Sequence, residues 1–393
     1  MENTSAPEIP PSVPLELFLI NLKLYRDFFS FYKSKGIYTL EEALSFRDFP
    51  TKKTAVEEKK IKFLLDNIRA IRETLPKNQN EQIIYLINKE IIFEEEKTIT
   101  TETLLNSYKT STTKPNFCRP NKFQSQNLKP STLFSANVEN KKITNISIKD
   151  SFSNLKHLYL NDNFIQKIGF FNCPNLELLD LTNNFIKKME NLEQFPKLNK
   201  LSLSNNLIYI LENLQNNPDL EIIDLGNQYI PNFVNFAVHP QCASPNNLLS
   251  SINLEGCNLI SCSELGQFPL LRDINLKNNG ILDLMNVLTL TKRCPYIEKI
   301  NVLNNPFTQE NKTTYKNFII ISCKNLNEMD EKEVKENEKI YVNNLFARKY
   351  NHKTNPKKPT NKNNVSNGLT ITHVTRNNTN NSNINYANLY NYK

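Results

Sequence analysis

Between residues 155 and 307, leucine and its aliphatic substitutes recur at fixed intervals. Leu155, Leu158, Leu160, Asn163 and Ile165 are followed by Leu176, Leu179, Leu181, Asn184 and Ile186, then by Leu198, Leu201, Leu203, Asn206 and Ile208. The pattern continues as Leu220, Ile223, Leu225, Gln228, Ile230, then Leu249, Ile252, Leu254, Cys257, Leu259. It ends with Leu271, Ile274, Leu276, Asn279, Ile281 and with Ile297, Ile300, Val302, Asn305, Phe307. Starts at 155, 176, 198 and 220 lie 21 to 22 residues apart, and Val138, Lys141 and Ile143 fit a degenerate opening copy. Each Leu-x-Leu predicts a short strand with alternate side chains inward. The Asn at a fixed place after it predicts an amide that bonds buried backbone groups at the turn and stacks copy upon copy.

A unit of this length cannot bury its apolar face alone, so copies stack into a continuous core. The period and the Asn/Cys alternation are those of a leucine-rich repeat array. The predicted class is therefore α/β: a curved right-handed β-α superhelix over 136–349, with a helical N-terminal extension at 1–97, a linker at 98–135 and a disordered basic Asn/Lys-rich tail at 350–393. Two spacings are irregular. From 220 to 249 an insertion of about seven residues carries Pro231, Phe233, Phe236, His239, Pro240 and Pro245, a loop of the kind solenoids use for binding. From 271 to 297 the longer spacing predicts a convex helix over Asp283 to Lys292. Tyr315, Phe318, Ile319, Cys323, Leu326, Met329, Asp330 and Val334 read as a C-terminal cap, followed by a helix from about Asp330 to Lys349.

Upstream, Phe18, Leu22, Tyr25, Phe29 and Tyr32 lie at helical spacing, with Gly36 as a stop. Thr39-x-x-Glu42 and Thr54-x-x-Glu57 are capping boxes. Ile61, Leu64, Leu65, Ile68 and Ile71 predict a helix ending before Pro76, and a last helix is expected over Glu81 to Glu95. These helices form a small domain or cover the solenoid's open N-terminal edge.

Charge sharpens the division. The chain has 393 residues, 48 Lys+Arg against 40 Asp+Glu, net +8. From Ala347 onward there are eight basic residues (Arg348, Lys349, Lys353, Lys357, Lys358, Lys362, Arg376 and Lys393) and no acid, so the other 346 residues balance at 40 against 40. A groove for specific nucleic acid would place its excess in the folded part. The tail instead suits acidic polymers as a salt-sensitive tether. The 7 Gly form no phosphate-cradling motif, the 4 His are scattered, and the 7 Cys form no Cys-x-x-Cys, which favours reduced thiols in the cytoplasm. Cys173 and Cys294, each before a Pro, read as core. No nucleophile–base pair, metal set or cofactor motif stands out, so the expectation is a monomeric non-enzyme with no metal or cofactor. The N-terminus does not read as a secretory signal, and no stretch is apolar enough for a transmembrane helix. The over-use of Asn reads as compositional bias.

In each strand the residues between core leucines face away from the core. They are His157, Tyr159, Leu178, Asp180, Lys200, Ser202, Ile222, Asp224, Ser251, Asn253, Asp273, Asn275, Lys299 and Asn301. Concave faces are the usual partner surface of solenoids. The candidate partner-binding residues are His157, Tyr159, Leu178, Asp180, Lys200, Ile222, Asp224, Asn253, Asp273 and Lys299. Tyr159, Leu178 and Ile222 are the expected anchors, and Asp180, Asp224 and Asp273 an expected acidic row.

From Val138 to about Lys349 the chain resembles the protein phosphatase 1 regulatory subunit 42 family, also called leucine-rich repeat protein 67. The resemblance rests on Lys141-Lys142-Ile143 in the opening copy and on Asn227-Gln228-Tyr229-Ile230-Pro231 with the insertion through Pro245. It continues in Ile252-Asn253-Leu254, Asn304-Asn305-Pro306 and the run from Tyr315 to Asp330. The helical N-terminal part lies outside it. The resemblance implies a non-catalytic scaffold that binds the phosphatase 1 catalytic subunit or tubulin, in the cytoplasm at the cytoskeleton, a cilium or flagellum, or a centrosome or basal body. Two short stretches have the basic-aliphatic-x-Phe form of phosphatase-1 docking strands, Lys60-Ile61-Lys62-Phe63 and Lys167-Ile168-Gly169-Phe170. The first falls in a predicted helix and the second inside a repeat. The alternative is an RNA-processing adaptor of spliceosomal type, which shares this repeat class and cap.

Overall fold

The computed structural model describes residues 12–49, 54–110, 129–231, 234–244, 247–310 and 312–354. The chain opens with five helices: α1 (Val13–Asn21), α2 (Tyr25–Ser34), α3 (Leu40–Ser45), α4 (Ala55–Arg72) and α5 (Gln79–Asn88). Both capping boxes form, with the Thr39 and Thr54 hydroxyls accepting from the Glu42 and Glu57 amides and each glutamate bonding back. Gly36, at φ 72°, closes α2. The expected run from Phe18 to Tyr32 is not one helix: Lys23 stands in the left-handed region at φ 55° and breaks it. The last helix stops at Asn88, and the chain beyond it is tied down from two sides, with the Ile91 amide bonding Gln166 of the first repeat and the Ile92 amide bonding Asn67 of α4.

The repeats form a ten-stranded sheet. Its strands are β2 (Ser135–Asn137), β4 (His157–Tyr159), β5 (Leu178–Asp180), β6 (Lys200–Ser202), β8 (Ile222–Asp224), β10 (Ser251–Asn253), β11 (Asp273–Asn275), β12 (Lys299–Asn301), β13 (Glu328–Met329) and β14 (Lys332–Glu333). All pairs are parallel except the closing β13–β14. The central residue of each repeat strand is buried, with Leu158, Leu179, Leu201, Ile223, Ile252, Ile274 and Ile300 forming one continuous core row. The chain is a leucine-rich repeat solenoid of α/β character.

The ladder explains the fixed Asn. Asn184 is fully buried; its Oδ1 accepts the Ile165 amide at 3.0 Å and its Nδ2 donates to the Leu160 and Leu181 carbonyls at 2.9 and 3.0 Å. Asn163, Asn206, Asn279 and Asn305 repeat this scheme, and Gln228 reproduces it with one more methylene. Cys257 donates its thiol to the Leu225 carbonyl but presents no matching acceptor, and the Ile230 amide turns to Gln228 O instead. The insertion begins at that point. The residue before each ladder position (Asp162, Asn183, Asn205, Asn227, Asn278, Asn304) has positive φ. Asp and Asn tolerate that conformation better than other residues with a Cβ, so part of the Asn excess read as compositional bias is structural.

Both ends are closed by the chain itself. Thr98–Thr110, expected within the linker, forms β1 (Thr98–Ile99) and α6 (Thr101–Thr110). Strand β1 pairs with β3 (Asn145–Ile146), α6 packs against β2, and Ile99 and Leu104 are buried in the solenoid core. At the other end Asp330 Oδ1 accepts the Val302 amide at 3.0 Å, an N–H that in earlier repeats bonds the next strand's carbonyl. Asp330 Oδ2 receives the Tyr315 hydroxyl at 2.7 Å. The cap is completed by α8 (Phe307–Glu310), α9 (Lys312–Ser322) and α10 (Glu336–Thr354), which starts six residues later than expected because β14 intervenes. Residues 355–393, the greater part of the expected tail, lie outside the described residues.

On the convex side, α7 (Leu284–Arg293) starts at an Asp283 cap, as the spacing predicts. The described part of the insertion packs on the repeats: β9 (Ala237–Val238) pairs with β7 (Ile210–Leu211), and Phe236, Val238 and Cys242 are buried in the solenoid core, while His239 and Pro240 are exposed. Phe233 and Pro245 lie outside the described residues.

Candidate protein-binding face

The register sorts the outward strand residues into two rows. One runs through His157, Leu178, Lys200, Ile222, Ser251, Asp273 and Lys299, the other through Tyr159, Asp180, Ser202, Asp224, Asn253, Asn275 and Asn301. All ten candidate residues therefore share one face. The expected acidic row does not exist: Asp273 lies in the first row beside Lys299, while Asp180 and Asp224 lie in the second with Ser202 between them.

Most of the second row ends its own strand. Asp180 Oδ1 accepts the Thr182 amide at 3.0 Å and Asp224 Oδ1 that of Gly226 at 3.0 Å. Asn253, Asn275 and Asn301 do the same two residues on, at 3.1 to 3.2 Å. A short carbonyl-bearing side chain that bonds its own backbone two residues ahead makes such a turn. Asp224 also receives Asn253 Nδ2 at 2.8 Å, Asn275 Nδ2 bonds Glu255 at 3.1 Å and Asn301 Nδ2 bonds Glu331 at 3.2 Å.

The face is thus uneven. Toward the C-terminus its charges are committed: Lys299 pairs with Glu328 at 3.1 Å, which raises the lysine's pKa, and Lys277 with Glu331 at 2.6 Å. Burial is the main cause of the upward shift at Asp273, against the opposing Lys299 charge. Toward the N-terminus, half-buried Leu178 and Ile222 flank Lys200 on neighbouring strands, with Tyr159 and exposed His157 at the end. Two aliphatic anchors around a cation form a surface suited to a protein partner.

Neither stretch of phosphatase-docking form is an accessible strand, as their places in a helix and in a repeat imply. Lys60–Phe63 lies in α4 with Ile61 buried, and Ile168 is fully buried while Phe170 is 67% exposed. Of the cysteines, Cys173, Cys242, Cys257, Cys262, Cys294 and Cys323 are buried and free, and burial pushes the first five thiols up to about 12. They are packing groups, not thiolates. Among the described residues no group of three or more His, Cys, Asp and Glu stands close enough to hold a metal, and no helix is long and apolar enough to cross a membrane.

A second surface is absent from the expectations. The helical extension covers the solenoid's flank, not its open edge. The residue after the ladder position is bulky in the first four repeats (Phe164, Phe185, Leu207, Tyr229), and all four pack against the extension core. Phe93 stacks on Phe164 at 4.8 Å and meets Phe185 edge-on at 5.2 Å. Lys23 donates to Asn205 O at 2.8 Å and lies over the Phe185 and Tyr229 rings at 4.5 and 4.9 Å. Two residues further along each repeat, Gln166 clasps the Ile91 backbone through both amide groups, and Lys187 donates to Leu86 O and Lys89 O at 3.2 and 2.7 Å. Burial lowers both Lys23 and Lys187 to about 7. The sequence signal was the run Phe, Phe, Leu, Tyr after the ladder residue, replaced by Asn258, Gly280 and Pro306 in the last three repeats.

The family description "Leucine Rich repeats (2 copies)" matches residues 153–194. No curated protein sequence matches the chain. Solved structures similar to it include a leucine-rich repeat protein of Leptospira interrogans (21% identity, 51% of this chain and 49% of that one, TM-score 0.37). The chain thus spans about half the length of that protein. Others are a chain of the Drosophila melanogaster SNF/U2A′ complex (21%, 45% and 84%, 0.30) and the functional domain of InlJ from Listeria monocytogenes, which includes a cysteine ladder (18%, 51% and 49%, 0.33).

Proposed function

We propose that the chain is a non-catalytic scaffold that takes a protein partner on the N-terminal half of the outward sheet face. The observation that supports this most is the Leu178–Lys200–Ile222 row beside Tyr159, where apolar side chains stand on a rigid sheet outside the core. The resemblance to the phosphatase 1 regulatory family names the partner class: the phosphatase 1 catalytic subunit or tubulin, with the cytoskeleton, a cilium or a centrosome as the place of action. A phosphatase is then held by the sheet face, since neither short docking stretch is an accessible strand. The basic segment beyond residue 354 adds a salt-sensitive tether for acidic polymers such as tubulin's C-termini.

Affinity capture with full-length chain and with the double variant Leu178→Glu, Ile222→Glu tests this. Recovery of phosphatase 1 or tubulin by the native chain, reduced at least tenfold in the variant, is the expected result. Recovery of small nuclear ribonucleoproteins alone overturns it in favour of an RNA-processing adaptor. Microtubule co-sedimentation at low salt that is unchanged on deleting 355–393 removes the tether.

A further inference from the structure

The flank that holds the N-terminal helices does not end where the helices end. In repeats one to four the position two after the flank residue is Gln166, Lys187, Tyr209 and Pro231, and each touches the helical extension or lines the seam beneath it. Leu17 of α1 reaches as far as Pro231 and Val234. Asn258 Nδ2 then bonds the Val234 carbonyl, and two residues on stands Ile260. The next copy of the same position is Leu282. Ile260 is 37% exposed, Leu282 74% and Met285, at the start of α7, 48%. The Ile260 methyl lies against Gly280, where an added Cβ would be 3.4 Å away, so nothing bulky separates the two rungs.

We propose that Ile260, Leu282 and Met285 form a docking ledge for an amphipathic α-helix of a partner protein, continuous with the intramolecular helix–solenoid interface. An adjoining stretch of the same flank is already covered by a helix, α1, whose sequence is almost wholly apolar. Neighbouring rungs of a parallel sheet are about 4.8 Å apart, close to the roughly 5.4 Å rise of one helical turn. A helix running along the solenoid therefore sets side chains four residues apart on successive rungs. Two carboxylates stand at the rim, Asp283, which follows Leu282 and caps α7 through the Met285 amide, and Glu264, which accepts from Ser261 next to Ile260; Arg293 bonds the Ser263 carbonyl beside Glu264. The fitting helix has an aliphatic stripe flanked by Lys or Arg. Segments of this chain outside the described residues do not supply one. Residues 1–11 hold Pro7, Pro10 and Pro11 with Glu2 and Glu8, 111–128 are interrupted by Pro115 and Pro120, and 355–393 are Asn-rich without helical apolar spacing.

The test uses the full chain and a fluorescent synthetic helix with Leu at i, i+4, i+7 and i+11, Lys on both flanks, and a scrambled control of equal composition. Anisotropy titration is expected to show binding of the helical peptide at least tenfold tighter than of the control. Ile260→Ser with Leu282→Ser is expected to weaken it at least tenfold at unchanged melting temperature, while Leu178→Glu with Ile222→Glu leaves it unchanged. Replacing the flanking Lys by Glu is expected to weaken binding severalfold. Equal binding of the control, or indifference to the Ile260/Leu282 variant, overturns the proposal. So does sedimentation showing a dimer that the Leu282→Ser variant breaks, or a photo-crosslink from position 282 to another segment of the same chain. Loss of the sheet-face interaction alone leaves this ledge standing, so the two surfaces fail independently.

Discussion

Apart from Cys257, the first four repeats and the last three are the same inside and different outside. Asn184 and Asn279 hold their turns by one scheme, an Oδ1 accepting a backbone amide of the preceding repeat (Ile165 and Leu259) and an Nδ2 reaching carbonyls of two strands, with Asn279 also accepting the Cys257 amide. On the flank, Phe185 lies under a helical extension while the matching Gly280 and its neighbour Leu282 do not. On the sheet, apolar Leu178 and Ile222 stand where the later repeats carry Asp273 and Lys299. Repetition fixes the inward positions because every rung must bury the same backbone groups. The outward positions are free to differ, and the differences mark the surfaces that hold helices or partners.

The largest expected effect tests the shared interior. Asn184→Ala strands the Ile165 amide and removes donors to two buried carbonyls, and Asn279→Ala does the same around Leu259. Each should lower the unfolding free energy by about 3 kcal/mol in denaturant melts. A gap between them much beyond about 1 kcal/mol would show that the two halves do not share one internal scheme. The flank should then separate them. Phe185→Ala removes the ring that meets Phe93 and Lys23 and should loosen the extension by about 2–3 kcal/mol, read as faster amide exchange across α5. Gly280→Ala, at the matching position, adds a Cβ into ordinary contact distance and should change stability by less than about 0.5 kcal/mol.

Much of this division was legible in the sequence. The period, the strand positions and the ladder follow from seven copies of one pattern, since each copy meets the same inward environment. The extension's capping boxes were equally readable, because they are local. Its place was not: contacts such as Phe93 on Phe164 and Gln166 on Ile91 join segments dozens of residues apart, and no period links them. The break at Lys23 escaped notice for the same reason, since its left-handed backbone is held by contacts to Asn205 and two distant rings. The ten candidate residues share one sheet face, while the supposed acidic row failed. Strand register, not spacing along the chain, decides which aspartates are neighbours.

A smaller effect distinguishes the covered flank by pH. Lys23 and Lys187 titrate near 7 when the extension is docked, mainly through burial, against about 10.5 when free. The undocked form therefore binds more protons between pH 7 and 10.5, so docking strengthens as pH rises through that window and is flat below it. Both side chains remain half-buried rather than sealed, so solvent screening reduces the gain to about 1–2 kcal/mol. Lys187→Met should abolish about half of the rise in α5 protection, the share Lys23 does not carry, without touching the ladder.

The smallest effect concerns the sheet face. Asp180 is acidic, and a basic partner is one reason to keep an acid there; the turn it makes with the Thr182 amide is another. Asn makes the same turn without the charge, whereas Ala makes neither. If the turn is the reason, Asp180→Ala costs about 1 kcal/mol and Asp180→Asn almost nothing, with partner capture by the Asn variant at the native level. The geometry favours that outcome, because Asn already occupies this position in Asn253, Asn275 and Asn301 and makes the same bond. A clear drop in capture with Asp180→Asn at native stability would instead give the carboxylate a role in recognition. It would also move the boundary of the binding surface from the apolar first row into the second.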